Sequence, residues 1–164
     1  MKTIKLYDLD SMLSEFECTV LSSEQCDNGY RVILDKTAFF PEGGGQTADK
    51  GVIGEAKVFE VQEIDDEIYH FTDKPLTVGA TYTADIDFEE RFDKMQNHSG
   101  EHIVSGIVNK KFGYQNVGFH LSDSVVSLDF DGPLTRKDLD EVELLANRAV
   151  QQNVNITAYY PKPE

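Results

Sequence analysis

Over the first ninety residues apolar and polar side chains alternate in short runs broken by turn residues. This period of two predicts strands at 3–7, 16–22, 30–35, 56–64, 68–72 and 81–86. Asn28-Gly29 is a strong turn signal, and Asp65-Asp66-Glu67 reads as a tight connection. Many short strands with glycine-rich turns predict a small barrel or sandwich. The period then changes. Residues 89–112 lack proline, and Met95, His98, His102 and Ile103 recur at i, i+3, i+7 and i+8. Val104, Ile107, Val108 and Phe112 extend an apolar side, and Gly113 is a natural stop for the helix so predicted. Gly100 and Gly106 inside it each cost about 1 kcal/mol relative to alanine. Close approach by another backbone or by a ligand would explain them. Two alternating segments, 117–121 and 125–130, form a hairpin through Ser122-Asp123-Ser124. Thr135 can cap a second helix running to about residue 152, with Asp138 at its third position. Leu139, Val142, Ala146 and Ala149 line its apolar face, and 155–160 reads as one more strand, ended by Pro161 and Pro163. The domain boundary falls near 88–91, and the fold class is α+β.

Composition adds limits to this picture. The 164 residues have ordinary globular composition, 40% hydrophobic and 27% charged. No apolar run approaches the ~20 residues that span a bilayer, and the first ten residues carry no signal-peptide core. A cytoplasmic protein is expected. Cys18 and Cys26 form neither a CxxC pair nor a disulfide framework and read as reduced thiols. The formal net charge is −15, which argues against a polyanionic partner. The charge is unevenly spread: residues 1–90 hold 7 basic and 20 acidic side chains, and residues 91–164 hold 8 and 10. A surface facing RNA is therefore expected on the second half, or on sequence outside this chain.

Three strings could carry chemistry. In His98-Ser99-Gly100-Glu101-His102 two histidines stand four residues apart, one helical turn, on one face. That spacing suits two imidazoles on one tetrahedral zinc; the alternative is two unrelated histidines, one packed and one exposed. Ser99 occupies the place of the glutamate in the HExxH of zinc proteases, which excludes that class. Glu101 could orient a water, bind a substrate amine or hydrogen-bond a ligand histidine, although spacing alone favours an exposed helix glutamate. The second string, Thr37-Ala-Phe-Phe-Pro-Glu-Gly-Gly-Gly-Gln46, has three successive glycines (Gly43, Gly44 and Gly45). They expose backbone N–H groups, and Gln46 adds a donor and an acceptor. Phosphate or the acceptor end of RNA could be its ligand; a flexible turn is the plainer reading. The third, Tyr114-Gln-Asn-Val-Gly-Phe-His120, returns Asn116, Gly118 and His120 after the histidine helix, either to line a pocket or as a hairpin edge.

The three strings occur in one order: Phe39-Phe-Pro-Glu-Gly-Gly-Gly-Gln46, then Arg91-Phe-Asp-Lys-Met-Gln-Asn-His98 with His102, then Gly118-Phe-His120 leading to Asp129-Phe130. In that order they resemble the editing domain of alanyl-tRNA synthetase and its free-standing AlaX relatives, over nearly the whole chain. The resemblance implies a glycine-rich β-barrel subdomain, residues 1–90, and an α+β subdomain shared with threonyl-tRNA synthetase, residues 91–164. It implies a deacylase that cleaves the ester of mischarged tRNA, chiefly Ser-tRNA(Ala) and also Gly-tRNA(Ala), with tRNA as partner and zinc as cofactor. His98 and His102 match the first two zinc ligands. Gln46, Glu101 and Asn116 fall at catalytic positions, and Gly43, Gly44, Gly45, Gly118 and His120 at substrate-binding ones. Glu101 stands where many relatives have Thr or Gln, a departure from the pattern. The family adds a Cys and a His from a Cys-x-x-x-His segment further on, which the residues to Glu164 do not contain. The chain is therefore read as the N-terminal portion of a longer protein, truncated before the second ligand pair and inactive alone. A non-catalytic tRNA- or protein-binding module that kept the fold is the competing expectation.

Overall fold

Alternation in the first half buries one side of each strand, and the strands close on themselves. In the computed structural model, which describes residues 2–121 and 125–157, the first half contains β1 (Ile4–Lys5), β2 (Glu15–Cys26), β3 (Gly29–Leu34), β4 (Lys36–Thr37), β5 (Gly51–Ile53), β6 (Ala56–Ile64), β7 (Glu67–Thr72) and β8 (Thr81–Ile86). Six of these form a closed antiparallel barrel in the order β2-β3-β7-β6-β5-β8, so the barrel expectation holds over the sandwich. β1 and β4 form a separate parallel pair. The expected strand at 3–7 shrinks to two residues because Leu6–Asp8 turns into a 3-10 helix.

The barrel interior follows from the pattern. Phe16, Cys18 and Val20 of β2, Val32 and Leu34 of β3, and Ile68 of β7 are buried at alternate positions. Along β6 the inward set shifts from Ala56 and Val58 to Val61, because the register against β7 slips between Val58 and Glu60. The extra residue, Phe59, is left partly exposed. Turns follow their chemistry: Asp65 and Asp66 both adopt positive φ (52° and 67°) between β6 and β7. Cys26 pairs with Gly29, so Asp27 and Asn28 form the turn between β2 and β3. Gly29 begins β3 at φ 140°, where a Cβ would collide with the Thr72 carbonyl oxygen.

The chain divides into two compact units, one of Met1–Asn97 with His120–Val126 and one of His98–Phe119 with Ser127–Glu164. The division falls inside α1 (Phe88–Phe112), later than the expected boundary. The reason lies in buried charge on the first turns of the helix. Arg91 Nε lies 3.4 Å from Asp49 Oδ2, both side chains almost wholly buried, and the buried Lys94 donates from Nζ to the Ala48 carbonyl at 2.7 Å. Asp49 in turn closes the loop that precedes it. Its carboxylate accepts the Phe40 N–H at 2.7 Å, and its own N–H donates to the Phe40 carbonyl at 3.0 Å. Burial pushes the Asp49 carboxyl up, and Arg91 and the Phe40 N–H pull against that rise.

The second unit holds the rest of α1, α2 (Arg136–Gln151) and most of β9 (Asn116–Leu121) and β10 (Val126–Phe130), which pair as a two-stranded sheet. Gly113 closes α1 at φ 78°, its N–H bonded to the Asn109 carbonyl at 2.9 Å. Thr135 caps α2 as expected, and reciprocal bonds with Asp138 complete a capping box. On α2 Val142 is buried, whereas Leu139 is exposed. The stripe read along α1 is displaced: Arg91, Lys94, Glu101 and Val108 are its buried positions, and Met95 and Ile103 are only partly covered. A Cβ at Gly100 or Gly106 would meet nothing within 4 Å, so among the described residues no approaching backbone explains either glycine. Of the strand expected at 155–160, residues 155–157 are not in a strand and 158–160 lie outside the described residues, as does the Ser122-Asp123-Ser124 turn. No helix among the described residues is long and apolar enough to cross a membrane.

Two outcomes follow for stability. Removing one partner of a buried ion pair strands the other charge, so Asp49→Ala or Arg91→Ala should each cost about 3–5 kcal/mol in denaturant unfolding. Arg136→Ala, which breaks an exposed pair with Asp140, should leave the midpoint nearly unchanged. The second outcome concerns His70, fully buried in the barrel. Its Nε2 lies 2.8 Å from Thr37 Oγ1 and its Nδ1 lies 3.3 Å from the Val32 carbonyl. Burial lowers its pKa from 6.5 to about 4. The unfolded chain then binds a proton that the folded chain refuses. Stability is full above pH 6.5 and falls as the pH drops toward 4, by about 3 kcal/mol in all. Unfolding midpoints across that window should show the slope, and His70→Gln should flatten it.

Candidate functional site

In the first unit the glycine triplet is a tight hairpin. Gly43 N–H donates to the Gln46 carbonyl at 3.1 Å, and Gln46 N–H returns a bond to the Gly43 carbonyl at 3.0 Å. Gly44 and Gly45, the two residues between, both have positive φ (60° and 82°), a turn that disfavours side-chain-bearing residues. The hairpin is pinned on three sides. Glu42 N–H bonds to the Val61 carbonyl at 3.0 Å, Leu121 N–H bonds to the Gly45 carbonyl at 2.9 Å, and Asp49 closes the loop behind. The loop is thus fixed by backbone bonds, against the flexible-turn alternative. Gln46 is buried. Gly43, Gly44, Gly45, Gln46 and His120 line one open cleft of about 420 Å³, with Gln62 and Glu63 on its wall. Five of the expected site residues are therefore brought together here.

In the second unit the helical spacing does what it predicts for His98 and His102. Their rings stack with centroids 5.0 Å apart and planes 26° from parallel, and Phe119 lies against His98 with centroids 5.0 Å apart. Between the histidines in sequence, Glu101 is buried, contrary to the exposed glutamate that spacing favours. It is buried because its carboxylate is surrounded by donors. Oε2 lies 3.0 Å from His102 Nδ1, and Oε1 accepts from Asn116 Nδ2 at 2.7 Å and from Ser105 Oγ. Asn116 Nδ2 also reaches Ser105 Oγ at 3.0 Å, and Asn116 Oδ1 accepts the Gly118 N–H at 2.9 Å. A Cβ on Gly118 would come within 2.8 Å of Asp129 Oδ2, so a side chain there would make the exposed Asp129 carboxylate shift.

Glu101 and Asn116 thus engage each other and their neighbours. Sequence reading passed over Ser105, although its place four residues after Glu101 on one helix was the available signal. It also passed over Asp49, whose partner Arg91 stands in the histidine-helix string.

The residues present fit part of a metal shell. One candidate ligand atom from each of His98, Glu101 and His102 lies within 4.8 Å of the others. Two imidazoles and a nearby carboxylate suit a borderline cation such as zinc. Burial first, and then His102, hold the His98 imidazole below its usual value, with Glu101 opposing. That favours the neutral form a metal needs.

Comparison with known proteins adds to this geometry. The family model described as tRNA synthetases class II (A) matches residues 10–90. An alanine–tRNA ligase of Ignicoccus hospitalis is 35% identical over 165 residues, covering 96% of this chain and 18% of the ligase. The alanyl-tRNA editing protein Aarsd1-A of Xenopus laevis is 35% identical over 130 residues, covering 79% of this chain and 32% of that protein. The Bos taurus alanyl-tRNA editing protein Aarsd1 is 30% identical over 161 residues, covering 90% of this chain and 36% of its own length. The chain thus spans only a fifth to two fifths of the curated relatives it matches. With the glycine hairpin, the paired histidines and the return strand in the same order, the chain belongs to the alanyl-tRNA synthetase editing-domain family.

Proposed function

We propose that this chain carries part of a trans-editing hydrolase that cleaves the ester linking a wrong amino acid to tRNA, chiefly serine and also glycine on tRNA(Ala). The observation that carries the reading is the pair His98 and His102, one turn apart with stacked rings at 5.0 Å. Relatives named as alanyl-tRNA editing proteins support it.

His98 and His102 would hold zinc, supplying two of the four positions of a tetrahedral shell. When bound, such a cation polarises a carbonyl or a water, or fixes a substrate amine. The overall reaction adds water across the ester, releasing the amino acid and the ribose hydroxyl of the tRNA.

The chain's own residues bind and orient. The glycine hairpin offers a surface without side chains, suited to close approach of an acceptor end. Gln46 belongs to the same loop, with an amide able to donate to a carbonyl oxygen and accept from a hydroxyl. His120 borders that cleft. Glu101 and Asn116, with their polar groups bonded to each other and to Ser105, His102 and Gly118, support the site from behind.

The full-length gene product should release serine from Ser-tRNA(Ala), and a chelator should abolish the release. His98→Ala and His102→Ala should each lower the rate at least about 100-fold, the upper range for loss of a metal-supporting group. Serine release no faster than the buffer blank would overturn the hydrolase. Retention of tRNA binding without release would favour a non-catalytic binding module.

A further inference from the structure

We propose that Glu101 is a positioning residue for His102: its buried carboxylate holds the imidazole in the tautomer with the proton on Nδ1. Nε2 of an exposed ring then keeps its lone pair for a cation. What Nε2 binds rests on the metal reading given above; the hold on the ring does not.

The His102 side chain is 74% exposed and that of Glu101 only 5%. An exposed imidazole ordinarily samples several rotamers and both tautomers. Here Nδ1 lies 3.0 Å from Glu101 Oε2. A carboxylate only accepts, so the nitrogen facing it carries the proton. Glu101 itself has little freedom. Oε1 is taken by Asn116 Nδ2 and Ser105 Oγ, so three of the roughly four acceptor positions of the carboxylate are filled.

The amide of Asn116 is oriented in turn, because its Oδ1 accepts the Gly118 N–H. That leaves only the NH2 side to face Glu101 and Ser105. A backbone N–H of β9 therefore fixes an amide, the amide fixes a carboxylate, and the carboxylate fixes an imidazole.

Glu101→Gln supplies a sharp test because it is isosteric. Asn116 Nδ2 and Ser105 Oγ still point donors at Oε1, so the new amide keeps its oxygen there and turns its NH2 toward His102. Nδ1 must then accept, and the proton moves to Nε2. Long-range proton–nitrogen correlation spectra of the chelator-treated protein, at a pH where the ring is neutral, read the tautomer directly. The wild-type chain should show His102 protonated at Nδ1, and Glu101→Gln should shift it to Nε2. Asn116→Ala, which removes one clamp, should give a mixture.

Zinc affinity from competition with a chromophoric chelator should fall about 10–100-fold in Glu101→Gln and stay unchanged in Glu89→Gln, on an exposed residue of the same helix. A wild-type ring protonated mainly at Nε2, or a tautomer unmoved by Glu101→Gln, would overturn the proposal. If Glu101→Gln does not fold, the wild-type spectrum and Asn116→Ala still decide it. Failure of the full-length gene product to bind zinc would remove the metal reading, while the ring measurement still judges this one.

Discussion

Burying a carboxylate costs the water it loses, and in each unit of this protein donors offset that loss at one such group. Asp49 accepts from the Phe40 N–H and pairs with Arg91, which sets the root of the glycine hairpin. Glu101 accepts from Asn116 and Ser105 and faces His102 Nδ1, which sets the histidine pair. Desolvating an anion without partners costs several kcal/mol or more, so these donors are structural requirements. In the second unit the paired histidines lie beside the buried anion.

Around these anchors the backbone is specialised by close approach and turn geometry. Gly44 and Gly45 take positive φ in a two-residue turn, and Gly118 admits the Asp129 carboxylate beside β9. The barrel needs only antiparallel pairing and two register slips to close. Its buried polar members include His70, satisfied by Thr37 and the Val32 carbonyl, and Thr72, which donates to the Lys74 carbonyl. The barrel therefore carries its own sensitivity to acid, separate from the histidine helix.

Charge divides the chain differently from structure. Residues 1–90 hold 20 acidic and 7 basic side chains, a field that repels a polyanion, since phosphate binding draws on Lys and Arg. Residues 91–164 are close to balance and offer a nucleic acid the least repulsion.

What the sequence determined by itself is what depends on near neighbours. Alternation placed β6 and β8 at 56–64 and 81–86 without adjustment, Thr135 and Asp138 announced the start of α2, and a spacing of four paired His98 with His102. Strands of two and three residues, β4 and β5, are too short to show a period, and they exist because the barrel and its neighbour supply their hydrogen bonds. The buried stripe of α1 was hidden for another reason. Glu101 reads as solvent-facing, and nothing in the spacing marks Arg91 or Lys94 as buried, until Asp49, Ala48, Ser105 and Asn116 arrive beside them from other parts of the chain or from the next helical turn. Hydropathy records the cost of burying a charge, whereas only the folded chain brings the partner that removes it.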